Sequence, residues 1–137
     1  VGSRLNPYLS FAGTAREALE FYRQVFGGTL TLSTFGEFGD ADPALADQIM
    51  HGLLRTDAGY VLMASDTPPG MAHTPGSTVS LILNGDDADV LRGYWDRLRD
   101  GGTVSVPLAK QMWGDEYGDC VDRFGTRWMV NISRSWD

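Results

Sequence analysis

Residues 6–28 read NPYLSFAGTAREALEFYRQVFGG, and residues 78–102 read TVSLILNGDDADVLRGYWDRLRDGG. Laid one under the other, they match Leu9 to Leu81, Gly13 to Gly85, Leu19 to Leu91 and Tyr22 to Tyr94, a shift of 72 residues (81 − 9). Each copy carries a short alternating strand through a glycine turn into a helix that stops at Gly-Gly. Such a unit has an apolar helix stripe and an apolar strand face to bury, and a second unit of the same design supplies a partner. A looser match continues downstream, with Gly52 on Gly118 and Gly59 on Gly125 at a shift of 66 (118 − 52). That register sets His51 against Tyr117 and Met63 against Met129.

The local signals fill in each copy. Leu9 and Phe11 alternate with Tyr8 and Ser10, which predicts a strand over residues 7–12 with two different faces. Thr14 stands three residues before Glu17, the spacing of a capping box, and predicts the helix start. Ala15, Ala18, Leu19, Tyr22, Val25 and Phe26 then form one stripe, and Gly27-Gly28 supplies the stop. Residues 29–34 read as a strand and 36–47 as a loop, with room for a short helix over 43–47. Residues 49–55 and 60–65 read as strands joined by a Thr56-Asp57-Ala58-Gly59 turn, and Asp66 is expected to cap the turn that follows. With its prolines and glycines, the segment 67–77 reads as a linker between a first module, 6–66, and a second, 78–133. In the second, Asp86 or Asp87 caps a helix whose stripe is Ala88, Leu91, Tyr94, Trp95 and Leu98. A strand over 103–106, an excursion over 107–114 and a closing hairpin around Arg123-Phe124-Gly125 complete it.

The composition narrows the partners. A chain of 137 residues with 42% apolar and 21% charged side chains folds as one integrated domain built of two modules that do not stand apart. Its net charge of −7 repels a phosphate backbone, and no Lys/Arg cluster interleaved with aromatics overrides that field, so nucleic acid is not an expected partner. No apolar run approaches a membrane span and no signal sequence is visible. The single cysteine, Cys120, cannot form an internal bridge, which suits a reducing cytoplasm.

With the repeat established, the chain resembles the vicinal oxygen chelate superfamily, the glyoxalase and bleomycin-resistance fold of paired βαβββ modules. Within it the sequence is similar to the PhnB-like branch, also labelled 3-demethylubiquinone methyltransferase-like. The carrying residues are the 6–28 stretch, MHGLLR at 50–55, LMASD at 62–66 and MWGDEYGDCVDRFGTRWMVNIS at 112–133. The resemblance implies an α+β fold in which the sheets curl into a cup with the helices on the convex side. Leu9, Phe11, Val79, Leu81, Leu83, Trp128, Val130 and Ile132 would then face the helices. Tyr8, Ser10, His51, Leu53, Ser80, Ile82, Tyr117, Met129 and Asn131 would face the cup. In metal-dependent relatives, His and Glu on the first and last strands bind a divalent ion. Here those regions hold Asn6, Pro7, Tyr8, Ala64, Ser65, Thr78, Ser80, Met129 and Asn131, without imidazole or carboxylate. Amide and hydroxyl oxygens alone bind transition ions weakly, so a divalent metal is disfavoured, though left open, and no cofactor is expected. No glycine-rich strand-to-helix turn of the nucleotide-binding kind is present either.

The candidate site residues each have two readings. His51 is a general base or anion ligand, or else a hydrogen-bonded strand histidine on the cup rim. Trp113, Glu116 and Tyr117 either grip a small organic ligand in a glycine-interrupted loop, or they divide into a core tryptophan and a solvated carboxylate. Tyr8 and Tyr117 either donate to a substrate oxygen or fill the cup. Ser80, Met129 and Asn131 line the proposed binding surface, and His51 with Glu116 are the catalytic candidates. Cys120, between Asp119 and Asp122, reads as a buried small residue rather than a nucleophile. His73 falls in the linker and reads as exposed. Three functions fit: a homodimeric cup that binds a small molecule without chemistry, a metal- or His-dependent isomerase, lyase or dioxygenase, and a structural role with a filled interior.

Overall fold

A computed structural model of the chain describes residues 2–39, 42–68 and 70–134. Among them the order is β1 (Tyr8–Phe11), α1 (Ala15–Phe26), β2 (Thr29–Thr34), a 3-10 turn (Gly36–Phe38), β3 (Ile49–Arg55) and β4 (Val61–Asp66). It continues with β5 (Leu81–Gly85), α2 (Ala88–Leu98), β6 (Thr103–Lys110), β7 (Glu116–Val121) and β8 (Arg127–Ile132). The chain divides into two compact units, Val1–Thr74 and Pro75–Asp137, each with one helix and one four-stranded sheet. The sheet orders are β1-β4-β3-β2 and β5-β8-β7-β6, with the first pair parallel and the others antiparallel. Strand, helix and three further strands in the same order make each unit a βαβββ module, and the class is α+β.

The duplication is visible in the registers. Leu53 pairs with Met63 and Leu54 with Leu62 in the first sheet, and Asp119 pairs with Met129 and Cys120 with Trp128 in the second, all at the shift of 66 read from the sequence. The hairpin turns repeat as well: Gly59 and Gly125 donate to Thr56 and Asp122, and both glycines have a positive φ, +92° and +91°. The first strand is shifted differently. Tyr8 pairs with Met63 and Ile82 with Met129, so β1 and β5 correspond at 74 residues (82 − 8), not 72. The Gly-Gly stops follow the same shift: a Cβ on Gly28 would fall 2.1 Å from the Arg55 carbonyl, and one on Gly102 2.2 Å from that of Val121. Within a strand, a slip of two residues leaves the side chains on the same faces.

The helix stripes form the cores. Ala15, Ala18, Leu19, Tyr22, Val25 and Phe26 are buried, with Phe21 added, against Phe11, Leu54, Leu62 and Ala64. Leu91, Tyr94, Trp95 and Leu98 are buried in the second unit, as are Leu83, Trp128, Val130 and Ile132. Val79, expected on the helix side, lies ahead of β5 and is exposed, because the strand begins only at Leu81. The β6 strand runs on through Pro107 to Lys110 where an excursion was expected; as an edge strand with two register breaks it tolerates a residue that cannot donate. Residues 43–47 form turns, not a helix.

The α1 start is also built differently from the expected capping box. Thr14 occupies the N-cap but makes no side-chain capping bond. Asp66, expected to cap a local turn, is instead buried and reaches back to the helix: its Oδ1 accepts from the Gly13 and Ala15 amides at 2.9 and 3.0 Å, and its Oδ2 from Ile49 at 2.9 Å. One carboxylate thereby joins β4, β3 and the helix N-terminus, where negative charge is favoured. The α2 cap is local, as expected, with Asp87 accepting from the Val90 amide.

Candidate functional site

Each sheet has one face under its helix and one face free of it, and the candidate residues concentrate on the free faces. In the first unit, Tyr8, His51, Leu53 and Met63 share that face, because Tyr8 and Leu53 both lie opposite Met63. The Tyr8 hydroxyl and His51 Nδ1 are 3.1 Å apart, and their rings lie 5.8 Å apart at a tilt of 31°. Tyr8 is half-exposed and His51 partly so. The pair therefore offers a ligand a phenol and an imidazole with one hydrogen bond already oriented between them.

The second unit carries a different set. Tyr117 lies opposite Asn131, and Met129 lies opposite both Ile82 and Asp119. The Tyr117 hydroxyl donates to Asp119 Oδ2 at 3.3 Å. Arg127 approaches Asp119 Oδ1 at 4.0 Å and donates from Nε to the Ser80 hydroxyl at 3.4 Å. Asn131 donates to Asp115 at 3.2 Å, which anchors the turn bearing Trp113. Burial, and then the Asp119 charge, pushes the Tyr117 phenol above its ordinary range, so it stays a hydrogen-bond donor and is not a ready base.

One sequence candidate falls elsewhere. Glu116 begins β7 opposite Ile132, on the helix side, and forms a two-pronged ion pair with Arg92 of α2, with one arm at 3.1 Å. The Arg92 hydrogen bond holds its carboxyl below the ordinary range, which makes it an anchored anion rather than a proton donor. It is therefore on the opposite face from Tyr117. Trp113 is 63% exposed on its turn and closes no core. Among the other readings, Cys120 is buried and its thiol is pushed up to about 11 by burial, then by Asp122 and Asp119. His73 is exposed and bonded to the Thr67 hydroxyl.

Asp115, Asp119 and Arg127 went unnoticed as site residues. Alternation was the available signal: Tyr117-x-Asp119 and Arg127-x-Met129-x-Asn131 place them beside residues already singled out.

Residues 4–130 match the Glyoxalase/Bleomycin resistance protein/Dioxygenase superfamily. The chain belongs to this superfamily. Protein YjdN of Escherichia coli K12 is 27% identical over 93% of this chain and 94% of that one. Protein PA1353 from Pseudomonas aeruginosa has a crystal structure that shares 35% identity and a TM-score of 0.86 over 96% of this chain and 98% of that one. The PhnB protein from Bacillus cereus superposes with a TM-score of 0.78 at 19% identity, over 96% of this chain and 100% of that one, a likeness of fold. The family match agrees with the superfamily resemblance drawn from the sequence, and the Bacillus cereus structure agrees with the fold that resemblance implies.

A divalent ion of the kind found in metal-dependent members of the superfamily needs a converging set of imidazole, carboxylate or thiolate ligands. Among the described residues no three His, Cys, Asp or Glu side chains come together in that way. The described residues do not fit such an ion.

Proposed function

We propose that this superfamily member binds a small, partly aromatic organic molecule on the helix-free faces of its sheets, without a resident metal. The observation that carries this reading is the Tyr8–His51 pair, half-exposed and flanked by Leu53 and Met63. It combines apolar contact with a few oriented polar groups, the usual make-up of a small-molecule site. Tyr117, Met129, Asn131 and Ser80 give the second unit a face of the same kind, with charge supplied by Asp119 and Arg127. We further propose that the protein is a cytoplasmic homodimer; no described helix is long and apolar enough to cross a membrane. Thermal-shift screening against metabolite and antibiotic panels tests the binding. A stabilising compound whose effect is lost in His51→Ala and Tyr8→Phe supports the reading, and a panel without any stabilisation overturns it.

A second reading rests on the same bond. A phenol hydrogen-bonded to an imidazole is also a proton-transfer pair, so His51 fits a metal-free isomerase or lyase of the superfamily. Turnover of a stabilising compound that His51→Ala abolishes and His51→Gln does not rescue selects this reading over simple binding. Stoichiometric divalent metal in protein purified without chelator overturns the metal-free form of both.

A further inference from the structure

The duplication provides an internal control for the faces that the helices cover. In the first unit α1 packs across β2, β3 and β4, and Leu30 and Leu32 of β2 are half-buried. In the second, α2 packs chiefly on β5 and β8, and of the β6 residues only Leu108 is half-buried. The space left between α2 and β6 is a groove of about 370 Å³. That volume falls in the range of roughly 300–1,000 Å³ typical of small-molecule sites.

The groove is built from one helix and one edge strand. Its floor is Trp95, whose ring lies over Gly118: a Cβ there would come within 2.8 Å of the indole. Val104, Pro107 and Leu108 form the strand wall. At one end Arg92 is held by Glu116, with Asp89 at 3.8 Å. At the other, the Arg99 side chain makes no hydrogen bond among the described residues; its Nε lies 3.5 Å from Asp96, which is two-thirds exposed and also lines the groove. The two ends are therefore unlike. An anion at the Arg92 end would meet an arginine already held in two-pronged fashion by Glu116, whereas at the Arg99 end it would compete only with one long contact to Asp96 for a guanidinium that takes carboxylates in two-pronged fashion.

We propose that this groove is a second binding site, separate from the helix-free faces, for an aromatic carboxylate whose ring lies against Trp95, Pro107 and Leu108 and whose carboxylate pairs with Arg99. Proton–nitrogen correlation spectra of the full chain, titrated with naphthoate and with the neutral naphthylmethanol, test it. Naphthoate should shift the Arg99, Val104 and Leu108 amides and the Trp95 indole, and should bind about tenfold or more tightly than the alcohol, as expected for charge-assisted bonds. Arg99→Gln should bring the acid down to the alcohol's affinity. Arg97→Gln, the same charge change on an exposed residue outside the groove, should leave binding unchanged. Leu108→Trp should close the groove to both probes; Arg99→Gln, on an exposed side chain, carries the test if that variant does not fold. Shifts absent up to saturation of the acid, shifts mapping away from the groove, equal affinity for acid and alcohol, or an unchanged Arg99→Gln titration would each overturn the proposal.

Discussion

Asp66 shows how far a single side chain can reach in this fold. Its carboxylate serves three amides, on Gly13, Ala15 and Ile49, from a position that is 1% exposed. Removing it strands two donors at a helix start and one at the head of β3, so Asp66→Ala should cost about 3 kcal/mol of unfolding free energy. The measurement is a denaturant midpoint at constant slope. Asp66→Asn should recover only part, because its NH2 group would face a donor amide. The Thr14 spacing alone could not reveal this cap, since Asp66 is 51 residues from Ala15 in sequence. Cys120 makes a complementary test. With its thiol pushed up to about 11, and fully buried, native alkylation at mildly alkaline pH should be roughly a hundredfold slower than in denatured protein. A thiol pKa raised in the folded state stabilises the fold below the thiol's ordinary range, and this contribution is lost as the pH climbs through the raised value. Rapid native labelling would place Cys120 outside the core.

At the scale of the element, legibility followed periodicity. The helix stripes, apart from a half-buried Ala88, and the faces of β1, β3, β5, β7 and β8 were readable because apolar spacing fixes parity, and the two-residue difference between the 72 and 74 registers left that parity intact. Ends and faces set by distant partners were not readable. Val79 continued the alternation on paper but lies outside β5, and Glu116 looked like a loop carboxylate until Arg92 of α2 placed it on the helix side. That ion pair has a pH signature. A carboxyl pKa lowered by folding contributes stability above its ordinary range and loses it as the pH falls through the lowered value. The melting-temperature gap between wild type and Glu116→Gln should therefore be open at neutral pH and close in acid; a gap independent of pH would contradict the pairing. The contact between Trp95 and Gly118 is steric. Gly118→Ala would press a methyl to 2.8 Å from the indole and 3.0 Å from the Leu108 Cα, costing about 1–3 kcal/mol by overpacking. Asp57→Ala, an exposed turn residue, should cost far less in the same measurement.

At the scale of the whole molecule, the two units repeat a scaffold and diverge in what they display. Equivalent registers carry His51 and Leu53 in one unit and Tyr117 and Asp119 in the other, so duplication preserved the pairing geometry while the helix-free faces acquired different chemistry. That is why the fold was legible from the repeat and the ligand was not: spacing specifies a face, whereas the chemistry on it is set residue by residue. These faces also bear on assembly. Tyr8 and Ile82 remain about half exposed in the single chain, and apolar side chains at such positions are commonly covered by a ligand or by another subunit. The proposed homodimer should therefore run at twice the 15.0 kDa chain mass in light scattering coupled to sizing chromatography. Substituting Ile82→Lys separates the two kinds of cover. If a partner chain sits over Ile82, the charge should shift the protein toward monomer and raise the dimer dissociation constant on the order of tenfold or more, since an unpaired charge in an apolar contact costs well over 1 kcal/mol. If the dimer persists unchanged while compounds stabilising the wild type no longer act, Ile82 belongs to the ligand face and the subunits meet elsewhere. A wild-type chain that is monomeric at every concentration removes the dimer altogether.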